Sequence, residues 1–159
     1  MTTRAAPVPV VAQRWMEAWN TKSPQAMCEV FVTDGVYEDA AFKICAQGQQ
    51  SVATWIRISI DHIPDLRGEI DDAFQADDRV AVRWMFSGTP RMLGAVQGTG
   101  KPYRVPVLTI MELQEGLIAR VTDCYNLADL LQQIGLPLDS FPLNASWRTL
   151  LSPERVKKR

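Results

Sequence analysis

The twenty residues at 116–135, GLIARVTDCYNLADLLQQIG, constrain this chain most, because their hydrophobic period changes from two to 3.6 within one unbroken run. The first half leaves a Glu115-Gly116 turn and carries the β-formers Ile118, Val121 and Tyr125, so it reads as a strand. From Leu127 onward the apolar residues Leu127, Leu130, Leu131 and Ile134 share one helical stripe. Gly135 ends that helix as its C′ residue, with Pro137 just beyond. One acid stands out in the strand. Asp123 shares its parity with Ala119, Val121 and Tyr125, which are apolar or aromatic. A carboxylate in such company is costly unless it is paired or protonated. It is therefore either a strand-end cap for the following helix or a functional group.

The rest of the chain supplies what this strand can pair with. Apolar positions Val8, Val11, Ala12, Trp15, Met16, Ala18 and Trp19 predict a helix over 8–20, broken by the segment 20–24. Ser23-Pro24 reads as the N-cap and first residue of a second helix carrying Ala26, Met27, Val30 and Phe31 and ending near 33–35. A short strand follows at 36–42, with Tyr37, Asp39 and Ala41 on one side. A loop through Gln47-Gly48 leads to a third helix over 50–63, bearing Val52, Trp55, Ile56, Ser59 and Ile60 and ended by Pro64-Asp65. Strands are then expected at 67–74, 80–87 and 103–113, with a turn at 76–79 and a long loop at 88–102 containing four glycines and two prolines. The tail beyond 136 has no clear period, except for a possible helical turn at 145–151. Three helices followed by a strand meander is an α+β pattern. The expected architecture is a cone: a strongly curved, mostly antiparallel sheet whose concave face the three N-terminal helices cover, enclosing a pocket. The domain is expected over 8–136, between a flexible N-terminus at 1–7 and a C-terminal extension at 137–159.

Composition narrows the function classes. Seventeen basic and eighteen acidic residues give a net charge of −1, which leaves no electrostatic footprint for nucleic acid. The basic cluster at 155–159 reads as a solvated tail. Cys28, Cys45 and Cys124 are odd in number and lack metal-type spacing, as suits a reducing cytoplasm. No apolar run approaches eighteen residues and no signal-peptide core opens the chain, so a soluble cytoplasmic protein without membrane contact is expected. With one histidine and no nucleotide fingerprint, neither a metal nor a cofactor is expected. The glycines at 94–100 are not a phosphate cradle, because no helix follows them; they read as a flexible rim.

Several short motifs together carry a resemblance: PDLR at 64–67, DRVAVRW at 78–84, Gly88-Thr89, GTGKP at 98–102, EGLI at 115–118 and LLQQIG at 130–135. In this order and spacing, over roughly residues 8–136, the chain resembles the SnoaL-like polyketide cyclases of the nuclear-transport-factor-two-like superfamily. The resemblance implies a cone-shaped α+β barrel and aligns Asp123 with the acid–base aspartate of those cyclases. Their helper histidine falls at Thr109, which cannot take up a proton near neutral pH. The Arg-x-Asp pair of the related limonene-type epoxide hydrolases has no counterpart, since 84–88 reads WMFSG. Asp39 resembles the general-base position of ketosteroid isomerases, or is a turn acid at a strand end.

The expected activity is a cofactor-independent ring closure of a polyketide-type or related secondary-metabolite intermediate, of aldol or ether- and pyran-forming type, with Asp123 and Asp39 as the catalytic acids. The alternatives are an epoxide hydrolase, a ketosteroid-isomerase-like enzyme and a non-catalytic small-molecule-binding module. Tyr37, Trp15, Trp19, Trp55, His62, Trp84, Phe86, Thr109, Met111 and Tyr125 are the candidate substrate-binding residues. The expected partners are a hydrophobic small molecule and a second copy of the chain. The outward face of the strand at 80–87, with Met85 between Arg83 and Ser87, points to a homodimer through the sheet faces.

Overall fold

A computed structural model describes residues 7–140 and 149–151. Helix α1 (Val10–Asn20) buries Ala12, Trp15, Met16, Ala18 and Trp19, the stripe that helical spacing predicts. Helix α2 (Pro24–Glu29) is capped by Ser23, whose Oγ accepts the Ala26 N–H at 3.1 Å, and Pro24 occupies the first turn, where its missing N–H costs nothing. Helix α3 (Gln49–His62) buries Val52, Ile56 and Ser59. Helix α4 (Leu127–Ile134) is capped by the Asn126 side chain and closed by Gly135 at φ 74°, so Asp123 is not its cap.

The strands are β1 (Phe31–Asp39), β2 (Ile44–Gln47), β3 (Arg67–Ala76), β4 (Arg79–Gly88), the short pair β5 (Met92–Leu93) and β6 (Val96–Gln97), β7 (Tyr103–Gln114), β8 (Leu117–Tyr125) and β9 (Thr149–Leu151). Seven of them form one sheet in the order β3-β4-β7-β8-β1-β2-β9. Pairing is antiparallel except for β1 with β8 and β2 with β9. The turn into β8 has positive φ at both Glu115 (52°) and Gly116 (79°), as a two-residue hairpin that matches strand twist requires. Along β7 burial alternates strictly from Tyr103 to Glu112, so one face of the sheet is core and the other is outside. The N-terminal helices and α4 cover the inner face, where Trp15, Ile56, Val82, Trp84, Val107, Met111 and Val121 meet.

The structure corrects five expectations. Helix α2 ends at Glu29 rather than near 33–35, because Val30-Phe31-Val32 are better strand formers and the Val30 carbonyl accepts the Ile118 N–H of β8 at 2.8 Å. β1 therefore begins at Phe31 and ends at Asp39, which leaves Ala41 and Phe42 in a turn. It reaches its second register through a bulge: Phe31 opposes Ile118, yet Val36 already opposes Arg120. Gly35 sits in that bulge, where an added Cβ would lie 2.9 Å from Phe31 Cδ1 and 3.0 Å from the Val32 carbonyl oxygen. The expected loop before α3 contains β2, which is too short to show a period. The loop at 88–102 holds the β5–β6 pair, with Leu93 buried. In the tail, Thr149–Leu151 forms β9 on the open edge of β2, where unpaired backbone groups attract a strand, instead of a helical turn. Residues 145–148, the expected N-terminus at 1–6 and the rest of the extension beyond 151 lie outside the described residues.

The rim loop is tightly built. The Gly98 N–H donates to the Arg91 carbonyl at 2.8 Å, the Arg91 N–H donates to the His62 carbonyl at 2.7 Å, and the Thr99 hydroxyl donates to the Ile134 carbonyl. The loop thus ties the end of α3 to the end of α4. A Cβ at position 98 would lie 1.9 Å from the Pro90 carbonyl oxygen. Gly98→Ala is therefore expected to prise this crossing apart at a cost of about 1–3 kcal/mol, read as a melting temperature lowered by several degrees in thermal circular dichroism.

Candidate active site

Strand register assembles the site. Thr109 of β7 opposes Asp123 of β8, and Asp123 opposes Asp39 of β1, so three polar residues stand in one row across neighbouring strands. Residues matched in register point to the same face, and here that face is the interior: Thr109 is 0 %, Asp123 5 % and Asp39 7 % exposed. A row further along holds Val80, Met111, Val121 and Tyr37, all buried.

Asp123 is held by two hydroxyls. The Tyr37 hydroxyl donates to Oδ2 at 2.5 Å and the Thr109 hydroxyl to Oδ1 at 2.5 Å. Trp84 determines how Thr109 uses its proton. Its indole N–H can only donate, and it does so to Thr109 Oγ1 at 2.8 Å, so the one hydroxyl proton of Thr109 is free for Asp123. Asp39 has its own partners: the Phe42 backbone N–H donates to Oδ1 at 2.9 Å and the Tyr125 hydroxyl to Oδ2 at 2.9 Å. The site is thus two tyrosine–aspartate pairs side by side.

Burial pushes the Asp123 carboxyl up to about 7; the hydroxyls of Thr109 and Tyr37 pull it back and the charge of Asp39 pushes it further up. Burial also raises Asp39 to about 6, against the hydrogen bonds from the Phe42 N–H and Tyr125. Burial foremost, and then the neighbouring carboxylates, raise the Tyr37 and Tyr125 hydroxyls well above the usual phenol range, so both remain donors. Two adjacent acids that titrate near neutrality can exchange a proton with a bound molecule in either direction.

Aromatic rings surround the acids. Trp15 meets Trp84 edge-on at 5.4 Å, and Trp84 lies 5.5 Å from Phe86. Phe86 packs edge-on against Tyr103 at 5.0 Å and Tyr125 at 6.2 Å, and Phe42 meets Tyr125 at 6.3 Å. Trp19 stands edge-on to Tyr37 at 6.0 Å. The fold therefore brings Tyr37, Trp15, Trp19, Trp84, Phe86, Thr109, Met111 and Tyr125 together around Asp123 and Asp39. Trp55 is half-buried on α3 and packs against the core without joining this ring array among the described contacts. His62 sits half-buried at the end of α3, where its carbonyl holds the rim loop; its ring makes no hydrogen bond among the described residues.

Sequence reasoning missed Tyr103 and the Phe42 N–H. Tyr103 was legible, since it has the parity of Thr109 on β7. The Phe42 contact was not, because it depends on where β1 stops. Among the described residues no group of three or more His, Cys, Asp or Glu is placed to hold a metal ion, and no helix is long and apolar enough to cross a membrane. A groove of about 110 Å³ between α1 and the start of β8, lined by Val10, Val11, Arg14, Val30, Gly116 and Leu117, contains neither acid.

Two raised carboxyls make stability depend on pH with a definite sign. In the unfolded chain both aspartates lose their protons near pH 4, whereas in the fold they retain them until about 6 and 7. The folded state binds more protons in that window, so stability is greatest below it and falls as pH rises from about 4 through 7. The melting temperature is expected to drop between pH 5 and pH 8. The drop should shrink in Asp123→Asn, which carries no charge to desolvate; an equal pH slope in both proteins would contradict the assignment.

Comparison with known proteins agrees with this fold. A protein of ketosteroid-isomerase-like fold from Catenulispora acidiphila DSM 44928, crystallised with trimethylamine, superimposes with a TM-score of 0.78 at 27% identity, over 86% of this chain and 100% of its own. TsrD from Streptomyces laurentii gives 0.71 at 21% identity, over 80% and 93%. IdmH from Streptomyces antibioticus, a candidate polyketide cyclase, gives 0.68 at 20% identity, over 79% and 96%. No curated protein matches the chain significantly. The α+β architecture is thus that of the ketosteroid-isomerase-like, or nuclear-transport-factor-two-like, folds. The model of the SnoaL-like polyketide cyclases matches residues 9–134, and this chain belongs to that family.

Proposed function

We propose that the protein is a cofactor-independent cyclase that closes a ring in a polyketide-type or related oxygenated intermediate, with Asp123 as its acid–base group. One observation carries the reading: a carboxyl with almost no solvent contact, raised to about 7 and oriented by two hydroxyl donors inside an aromatic enclosure. A group poised there can take a proton at neutral pH and return it. Each carboxylate oxygen accepts one hydroxyl and keeps a lone pair for the substrate. In an intramolecular aldol closure, Asp123 removes a proton from a carbon beside a carbonyl. The enolate carbon attacks a second carbonyl of the same molecule, one carbon–carbon bond forms, and the new alkoxide recovers a proton from Asp123 or Asp39. Holding the folded substrate against rigid rings removes part of the entropic barrier. The Asp39–Tyr125 pair serves equally as the second proton-handling group of an ether- or pyran-forming closure.

The proton-abstraction step can be followed without the natural substrate, as deuterium exchange at C1 of 2-tetralone, an apolar bicyclic ketone. Exchange should be catalysed and should rise with pH through about 7 as Asp123 ionises. Asp123→Asn keeps the shape but cannot take a proton, and should lower the catalysed rate by about 10²–10⁴-fold. Wild-type exchange in that variant would transfer the role to Asp39, and unchanged exchange in both Asn variants would favour a binding module.

The outer sheet face supports assembly. Leu108, Ile110 and Phe74 are 60%, 45% and 61% exposed there, beside the Arg83–Asp71 and Arg104–Glu69 ion pairs. Such an apolar face with a charged rim suits a second copy of the chain. Light scattering at micromolar concentration should return twice 17.8 kDa, and a monomer mass would reject the dimer.

A further inference from the structure

Asp123 and Asp39 are 5% and 7% exposed, so a molecule that trades protons with them must first displace part of the chain. On one side stands the sheet, in which β8 is bonded to both β7 and β1. On the other stand the helices, with α1 burying five of its residues. Moving either would break a ladder or open the core. The β5–β6 hairpin is different. Among the described residues its strands pair only with each other, outside the seven-stranded sheet, and of residues 92–97 only Leu93 is buried.

The hairpin stands at the acids' end of the sheet. Its loop leaves β4 after Gly88 and enters β7 at Tyr103, and those two residues oppose each other. From there contacts lead inward: Tyr103 packs on Phe86 at 5.0 Å, Phe86 on Tyr125 at 6.2 Å, and the Tyr125 hydroxyl donates to Asp39 at 2.9 Å. The base of the hairpin is fixed. The Gly98 N–H donates to the Arg91 carbonyl and the Arg91 N–H to the His62 carbonyl, which clamps both ends of the hairpin to the end of α3. Its tip is open: Gly94 has φ 57°, and a Cβ built there would meet no atom within 4 Å. A fixed base, an open tip and one buried leucine make a hinged element held shut by a single side chain.

We propose that residues 92–97 are a flap that turns about the Arg91–Gly98 clamp, is latched by Leu93, and gates entry of small apolar molecules to the Asp39–Tyr125 end of the site. Withdrawing one leucine from an apolar seat disfavours the open form by roughly 10–100-fold. The open form is thus a minor one, reached without unfolding the sheet. The route inward along Tyr103, Phe86 and Tyr125 is aromatic, which suits apolar molecules. The proposal rests on the acid–base reading only for the reaction served, because opening can be read without turnover.

The test is thiol labelling of the whole protein carrying Leu93→Cys, read site by site by peptide mass spectrometry. Exposed Cys124 and buried Cys45 serve as internal references. The thiol at position 93 should react about 10–100-fold more slowly than Cys124. Low urea should hardly change that rate, while labelling of Cys45 should climb steeply as the sheet unfolds. Saturating 2-tetralone, held behind a shut flap, should slow labelling at position 93 several-fold and leave Cys124 unaffected. Labelling at 93 that tracks Cys45 in urea, labelling as fast as at Cys124, or a rate that 2-tetralone leaves unchanged would each overturn the proposal. Val96→Cys, at a half-buried position of the same hairpin, repeats the measurement should the melting temperature show that Leu93→Cys folds poorly. Asp123→Asn separates the two readings, since it should leave labelling at position 93 as it was. Exchange that survives Asp123→Asn sinks the acid–base role alone, while labelling slowed by the ketone still upholds the flap.

Discussion

The parallel pairing of β1 with β8 is the constraint on which the rest of the site depends. Most of the sheet is an antiparallel meander that needs only short turns. The β1–β8 contact instead joins residues 86 apart in the Tyr37–Asp123 bond, and it places Asp39 directly beside Asp123. The bulge before Val36 is part of the same constraint, because it sets the register that follows. A shift of β1 by one residue would turn Asp39 and Tyr37 to the outer face and away from Asp123. The backbone reinforces the alignment, since the Ala40 N–H donates to the Asp123 carbonyl at 3.0 Å.

Two carboxyls side by side in an apolar interior oppose folding, and the fold offsets the cost in two ways. Each acid accepts two hydrogen bonds, so neither is buried bare. Each also has its proton affinity raised, so that near neutrality the pair need not carry its full charge. Any residual cost is what the proposed acid–base role would impose at the expense of stability. The donors are graded as well. Trp84 satisfies Thr109, and Thr109 and Tyr37 satisfy Asp123.

The aromatic rings link this chemistry to packing. Rings from α1, β1, β4, β7 and β8 meet around the two acids in edge-on or tilted contacts, the geometry that aromatic quadrupoles favour. They exclude water, which is what raises the carboxyls. The tie from α3 through the rim loop to α4 closes the same end of the sheet.

Local order was written in the sequence. Helical stripes, the Ser23-Pro24 start, the Gly135 stop, the Glu115-Gly116 turn and the strict alternation of β7 each depend on residues within a few positions of one another. The inward parity of Asp123 and Asp39 could be read for the same reason, and so could the α+β class and the family. Tertiary structure alone decided what those elements touch. Val30-Phe31-Val32 joined β1 because β8 offered backbone partners, and local propensity cannot see a partner some ninety residues away. β2 is four residues long, too short for a period, and exists because β1 pairs with it. That Thr109 is a hydroxyl donor to Asp123, primed by Trp84, follows from three strands coming into register. That His62 stays apart follows from where α3 ends. Periodicity tells which side of an element faces inward, and only the packed chain determines which inward-facing groups meet, because those contacts join residues far apart in the chain.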